Sequence, residues 1–200
     1  MTDVAPMLGV LAGVVGVADM VPYVRDTVRG ATRPHRGTWL IWGSLGVVVW
    51  LSQRADGASW SLMLTSGQVA LNGVVVFLAI RRGEGGWGAA EAAMIALAGA
   101  GVIGWIVADE PTVAIACVIA ADLIATALMA PKTYRDPGSE TLATYVGAGL
   151  AGALAAGAVG AIDVSLLLYP VYYCVANLAI ALLISHRRGV LSPPARRAVA

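Results

Sequence analysis

The stretch Pro34-His35-Arg36-Gly37-Thr38-Trp39-Leu40-Ile41-Trp42 is answered 103 positions later by Pro137-Gly138-Ser139-Glu140-Thr141-Leu142-Ala143-Thr144-Tyr145. Both carry Pro-x-x-x-Thr-x-x-x-(Trp/Tyr) in the same register. The match continues outward at the same offset: Ala18-Asp19 meets Ala121-Asp122, Arg29 meets Lys132, Gly46 meets Gly149 and Leu51 meets Leu154. Two further positions of shift bring Asn72 onto Asn177 and Arg82 onto Arg187. Small apolar residues match by chance in a chain rich in Ala, Gly and Val. Coincident Asp, Pro, Thr and Asn residues are harder to dismiss, because polar residues are scarce here. The sequence therefore reads as a duplication.

The surroundings of the repeat set its solvent. Of the 200 residues, 58% are hydrophobic and 12% charged, with a mean hydropathy of +0.78. Soluble domains average about 25% charged residues, so a soluble globular protein is excluded, and so is disorder. The net charge of +1 gives no case for a nucleic-acid partner. A membrane helix needs about 20 mostly apolar residues. Seven stretches qualify: roughly 5–24, 37–53, 59–80, 88–108, 112–130, 140–160 and 164–185. Their apolar runs are continuous rather than alternating, which excludes a β-barrel. Met1-Thr2-Asp3 lacks a basic signal-peptide region, so the first stretch is expected to remain in the mature protein.

Charge orients these stretches. With the N-terminus outside, Arg25, Arg29, Arg33, Arg36, Arg81, Arg82, Lys132, Arg135, Arg187, Arg188, Arg196 and Arg197 all fall on one side, and Arg54 alone falls opposite. The positive-inside rule makes the basic side cytoplasmic. Asp56, Asp109, Glu110 and Asp163 fall outside. The expected location is the cell membrane, multi-pass, with the C-terminus cytoplasmic.

A three-helix unit crosses the membrane an odd number of times, so a second copy in the same orientation needs one extra crossing. The fourth stretch, which has no counterpart, supplies it. The expected fold is an all-α polytopic membrane protein with seven transmembrane helices. Residues 1–86 form the first three-helix repeat and 87–110 the linker helix. Residues 111–188 form the second, parallel repeat, and 189–200 a cytoplasmic tail. Repeats of this kind place a solute site at their interface near the membrane midplane.

The candidate residues follow from scarcity. Asp19 and Asp122 lie deep in helices, where a carboxylate costs about 2.5–3.5 kcal/mol on insertion scales. They are expected to bind a proton or substrate hydroxyls. The competing reading is a structural pair bonding helix backbones. Asn72 and Asn177 offer two donors and an acceptor each, against a reading as helix–helix glue. Gln68, and Tyr173 at its repeat position, are secondary candidates. Trp39 and Trp42 are one turn apart and share a face. Trp42 and its counterpart Tyr145 are the better stacking candidates, since Trp39 also suits an interfacial belt. Trp60, Trp87 and Trp105 read as belt residues. Cys117 and Cys174 read as apolar fillers rather than a disulfide. No metal-ligand spacing is present and no cofactor is expected.

The 3+1+3 plan resembles the SWEET sugar transporters and the wider PQ-loop superfamily. Pro22-Tyr23-Val24-Arg25-Asp26-Thr27-Val28-Arg29-Gly30 resembles the PQ-loop signature, with Tyr23 where glutamine is usual. The resemblance implies that Asn72 and Asn177 hydrogen-bond a sugar and that Trp42 and Tyr145 stack on it. It implies that Pro22, Pro34, Pro131 and Pro137 form an inner gate or hinge. Only Pro34 and Pro137 align across the repeats. Asp19 and Asp122 depart from the SWEET pattern and resemble the proton-coupling aspartate of other PQ-loop members. Trp39-x-x-Trp42 is similar to a motif of the PnuC vitamin-precursor transporters. Together these imply alternating-access transport of a small polar solute, with a sugar expected first. The alternatives are a nucleoside or vitamin precursor, or a proton-coupled amino acid. The implied partners are the lipid bilayer and the solute, with association into homo-oligomers.

Other classes fare worse. Retinal proteins need a lysine in the last helix, and the single lysine here, Lys132, lies elsewhere. Intramembrane aspartyl proteases show Gly-x-Gly-Asp, absent around Asp19 and Asp122. An enzyme is not expected; a scaffold subunit stays open.

Overall fold

The computed structural model describes residues 4–55, 61–85, 88–107, 111–159, 162 and 164–191. Asp56, Trp60, Trp87, Asp109, Glu110, Asp163 and the tail from residue 192 lie outside the described residues. The described chain is helical: α1 (Val4–Ala18), α2 (Met20–Val28), α3 (Arg36–Ala55), α4 (Ser61–Arg82), α5 (Ala89–Val107), α6 (Pro111–Arg135), a 3-10 turn (Pro137–Ser139), α7 (Leu142–Ala158) and α8 (Val164–Leu191). Three rods, Val4–Val28, Ala116–Arg135 and Leu167–Leu191, are long and apolar enough to cross a membrane.

Several boundaries differ from the sequence expectation. The first stretch forms one rod, Val4–Val28, with a local irregularity at Asp19 between α1 and α2, where the backbone stays helical at φ −64° and ψ −25°. Pro22 explains the irregularity: it has no N–H to donate to the carbonyl of Ala18, four residues back. Gly30 ends the excursion after α2 with φ +77°, a conformation that glycine adopts without strain. The sixth stretch starts at Leu142 rather than at 140, after the 3-10 turn. Thr38 thus lies inside α3, whereas its counterpart Thr141 stands at the N-cap of α7 in extended backbone. Lys132, Arg135, Arg187 and Arg188, expected beyond their helices, lie within them, Lys132 and Arg135 in the last turn of α6 and Arg188 in the last turn of α8. Cations there meet the negative end of the helix dipole. The prolines also divide. Pro22 and Pro131 are inside helices, but Pro34 and Pro137 lie in the connections before α3 and α7.

The helices pack as a ring. The α1–α2 rod touches α4, α4 touches α3, and α3 touches α6. The ring continues from α6 to α8, from α8 to α7, and from α7 back to α1. Helix α5 lies outside it against α6 and α3. Among the described residues α1 makes no contact with α3, nor α6 with α7. In each set of three the third helix stands between the first and the second. The two sets meet through α1 with α7 and α3 with α6.

Close approach uses glycine. A Cβ at Gly147 would lie 2.6 Å from that of Asp19, and one at Gly152 would lie 2.7 Å from the backbone nitrogen of Cys174. The distribution of polarity is inverted relative to a water-soluble protein. Val4, Met7, Val10, Leu11, Val14 and Val21 stand exposed along one stripe of the first rod. Gly16, Asp19, Tyr23 and Thr27 are buried on the other. Exposed apolar side chains also cover α6, α7 and α8, while Thr38, Thr133, Thr144 and Glu140 are interior. An apolar exterior of this extent needs an apolar medium or a partner surface.

Candidate functional site

The ring encloses a cavity of about 580 Å³, within the range of small-molecule sites. Its walls come from the first rod, α3, α4, α6, α7 and α8. All nine side chains singled out as solute-binding candidates border it: Asp19, Trp39, Trp42, Gln68, Asn72, Asp122, Tyr145, Tyr173 and Asn177. The four gate prolines do not line it. Pro34 and Pro137 are buried at the basic end, and Pro131 is exposed on α6.

Helical spacing and the ring order explain the convergence. Asn72 lies one turn beyond Gln68 on α4, and Asn177 one turn beyond Tyr173 on α8. Gly46 on α3 lets Asn72 approach; a Cβ there would lie 3.4 Å from its Nδ2. Asn177 donates Nδ2 to the carbonyl of Tyr173 at 2.9 Å, satisfying one donor within its own helix. Gln68 donates Nε2 to the Gly16 carbonyl at 3.4 Å, tying α4 to α1 beside the irregularity.

The two aspartates stand on rods that do not touch among the described residues. Asp122 accepts a hydrogen bond from the Tyr172 hydroxyl at 2.6 Å. Asp19 is 7% exposed, and its Oδ2 has no hydrogen-bond partner in the protein. Its backbone carbonyl accepts from Thr144 Oγ1 at 2.7 Å, which fixes the rod against α7. Trp42 Nε1 is buried and lies toward the Asp122 carboxyl, and Thr126 Oγ1 is buried without a hydrogen-bond partner in the protein; both residues border the cavity. Thr126 is one turn beyond Asp122 on α6, so its place on the cavity face follows from that of Asp122.

Aromatic rings furnish much of the remaining wall. Trp39 and Trp42 pack edge to face, with centroids 5.2 Å apart at 86°. On the α8 side Tyr169 and Tyr173 stack at 6.0 Å and 25°. The rings thus present both faces and edges to the cavity.

The basic end of the cavity is closed by a buried polar network. Tyr23 and Tyr145 donate their hydroxyls to Glu140 Oε2 at 3.1 and 2.9 Å. Lys132 Nζ bonds Oε1 of the same carboxylate at 2.5 Å and also the Arg33 carbonyl. Trp39 Nε1 donates to the Tyr23 hydroxyl at 2.9 Å. Tyr23 is fully buried and Glu140 is 2% exposed. Beyond this floor the connections cross: the Arg33 amide donates to the Ser139 carbonyl, and the Arg33 guanidinium pairs with both Glu84 and Asp136. Thr32 and Thr141 share a hydroxyl bond of 2.5 Å.

The sequence reading passed over Thr126, Tyr23 and Glu140. Thr126 carries a usable signal in its spacing from Asp122. Glu140 sits inside the repeated motif, but its partner Tyr23 is 117 positions away, so no local pattern marks the pairing. No family model matches the chain, and no curated protein or solved structure is significantly similar to it.

Proposed function

We propose that the chain is a seven-span membrane transporter that carries a small polar solute by alternating access. The observation that carries this reading is the cavity itself: polar side chains from both sets of three helices converge inside a ring whose outer surface is apolar. Water-filled or solute-binding cavities are where polar residues within a membrane belong. The orientation follows from the charges, with the arginine-rich end cytoplasmic and the N-terminus outside. The present arrangement is then closed toward the cytoplasm by Tyr23, Tyr145, Glu140 and Lys132.

In this mechanism the two three-helix sets rock about the solute. Contacts between the sets, α1 with α7 and α3 with α6, are where relative movement is concentrated. Opening the cytoplasmic side separates Tyr23 from Glu140, because the two belong to different sets. Pro22 and Pro131, inside α2 and α6, each remove a backbone hydrogen bond and provide places for bending. Asn72, Asn177, Gln68 and Tyr173 act as polar contacts, and Trp39, Trp42 and Tyr145 as stacking surfaces. Either aspartate is available to bind a proton during the cycle. The resemblance to the SWEET and PQ-loop transporters puts sugars first among solutes to test. The perpendicular Trp39–Trp42 pair makes planar nucleosides the second class.

The test is counterflow in proteoliposomes holding the purified full chain, over sugars, nucleosides, amino acids and amines. Saturable uptake of one class, lost on Asn72→Ala together with Asn177→Ala, is the expected result. No uptake of any solute would sink the transport reading and favour a scaffold.

A further inference from the structure

We infer that the solute of this cavity is a small organic cation bearing a hydrogen-bond acceptor, with its positive group held at Asp19. The inference rests on the transport reading and narrows it. Two carboxyl groups line the cavity, Asp19 and Asp122, and no lysine, arginine or histidine does among the described residues. Lys132, at the closed end, is engaged by Glu140 and the Arg33 carbonyl. Asp19 and Asp122 therefore have no basic side chain beside them, and a buried charge without a partner is costly.

The two acids are not equivalent in what they lack. Asp122 has the Tyr172 hydroxyl. Asp19 borders the cavity, and its Oδ2 is buried with nothing in the protein bonded to it. Of the other buried polar atoms beside the cavity, Trp42 Nε1 lies toward the Asp122 carboxyl, and Thr126 Oγ1 has no hydrogen-bond partner in the protein. The indole N–H only donates, and the hydroxyl donates or accepts. A ligand that engages all three once the walls adjust brings a positive centre to Asp19 and an acceptor oxygen to the other two groups. A neutral polyol can hydrogen-bond a protonated Asp19, whereas a cation stabilises the ionised carboxylate that the apolar surroundings otherwise disfavour. The tryptophan and tyrosine rings add to the same preference, because aromatic faces attract cations.

The experiment compares ligands of matched shape and unmatched charge. Choline, ethanolamine and benzyltrimethylammonium are titrated onto the full-length protein in nanodiscs, with tryptophan fluorescence as the readout. The neutral probes are 3,3-dimethylbutan-1-ol (choline with carbon in place of nitrogen), glucose and sucrose. The same six are then tested for uptake into proteoliposomes. The expected result is that at least one cation binds and enters, and that choline outbinds its neutral analogue at least tenfold. Asp19→Asn should remove at least tenfold of that cation affinity and shrink the charge preference, with the variant monodisperse on size exclusion. If Asp19→Asn does not fold, Trp42→Phe and Thr126→Val take its place. They should narrow the advantage of choline over benzyltrimethylammonium by threefold or more, because of the two only choline carries the acceptor oxygen. Equal binding of choline and its neutral analogue overturns the inference, as does an Asp19→Asn variant with full cation affinity. Uptake of a sugar with no cation binding or competing also overturns it, while leaving transport standing. Failure of all six, together with no uptake from the wider solute panel, overturns both.

Discussion

Residues 103 positions apart hold corresponding places in the two sets of helices, yet their chemistry has diverged. Asp122 is bonded by Tyr172 within α6, whereas Asp19 sits at the irregularity between α1 and α2 with one oxygen unpartnered. Tyr145 spends its hydroxyl on Glu140 in the floor, whereas the Trp42 N–H lies toward Asp122 beside the cavity. Thr38 donates across the ring to the carbonyl of Ala125 at 2.6 Å, whereas Thr141 is tied to Asp26 and Thr32. The second set therefore supplies most of the closure, and the first set keeps the uncommitted oxygen of Asp19. Residues matched at the 103-position shift thus differ in their partners, and the partners decide which groups remain available.

The floor is where this asymmetry carries the most energy. Glu140→Leu leaves the Lys132 ammonium and two tyrosine hydroxyls without their acceptor. Removing one partner of a buried ion pair costs about 3–5 kcal/mol, so this variant should show the largest drop in thermal unfolding midpoint in detergent. Its counterpart by the shift, Gly37, carries no such group, and Gly37→Ala should cost far less. A midpoint for Glu140→Leu equal to that of the parent would mean that the floor does not hold the sets together.

Gly147 and its counterpart Ser44 sharpen the comparison. A side chain at Gly147 collides with Asp19, and overpacking of this kind costs about 1–3 kcal/mol. Gly147→Val should lower stability and weaken solute binding together, because it displaces Asp19. Ser44 is exposed and bonds only the Leu40 carbonyl of its own helix. Ser44→Val should stay within about 0.5 kcal/mol, as exposed substitutions usually do. Equal effects in thermal unfolding would show that α1 and α7 are less tightly apposed than described.

The two threonines should give nearly equal effects. Thr38→Val removes two buried hydrogen bonds, to the Ala125 carbonyl and to His35 Nδ1, and Thr141→Val removes two, to Asp26 and Thr32; each should cost about 1–2 kcal/mol in thermal unfolding. A clearly larger cost for Thr38→Val would place the stronger link between the sets inside the ring rather than at its basic end.

Much of this arrangement is legible in the sequence. Apolar runs locate the helices because a chain poor in charge has few other ways to satisfy its backbone. Scarce polar residues at repeated positions point inward for the same reason, which is how Asp19, Asn72 and Asn177 stand out. The irregularity at Asp19 was also readable, since Pro22 removes a defined hydrogen bond. The floor was not. Glu140 looks like a surface acid at the head of a helix, and its burial depends on Tyr23 arriving from the far side of the ring. The difference between Asp19 and Asp122 was equally hidden, because it lies in Tyr172, which belongs to neither repeated motif.

The ring order also has a consequence for synthesis. Helix α1 packs on α7, and Asp19 rests on Gly147. Gly147 emerges from the ribosome about 130 residues after Asp19, a delay on the order of 10 s at about 5–20 residues per second. Throughout that interval Asp19 is without Thr144 and Gly147, which pack against it in the finished fold. Helix α4 arrives sooner, and the bond from Gln68 to the Gly16 carbonyl gives it a hold beside the irregularity. Gln68 can thus serve the nascent chain as a temporary escort for the acid before it serves the finished protein.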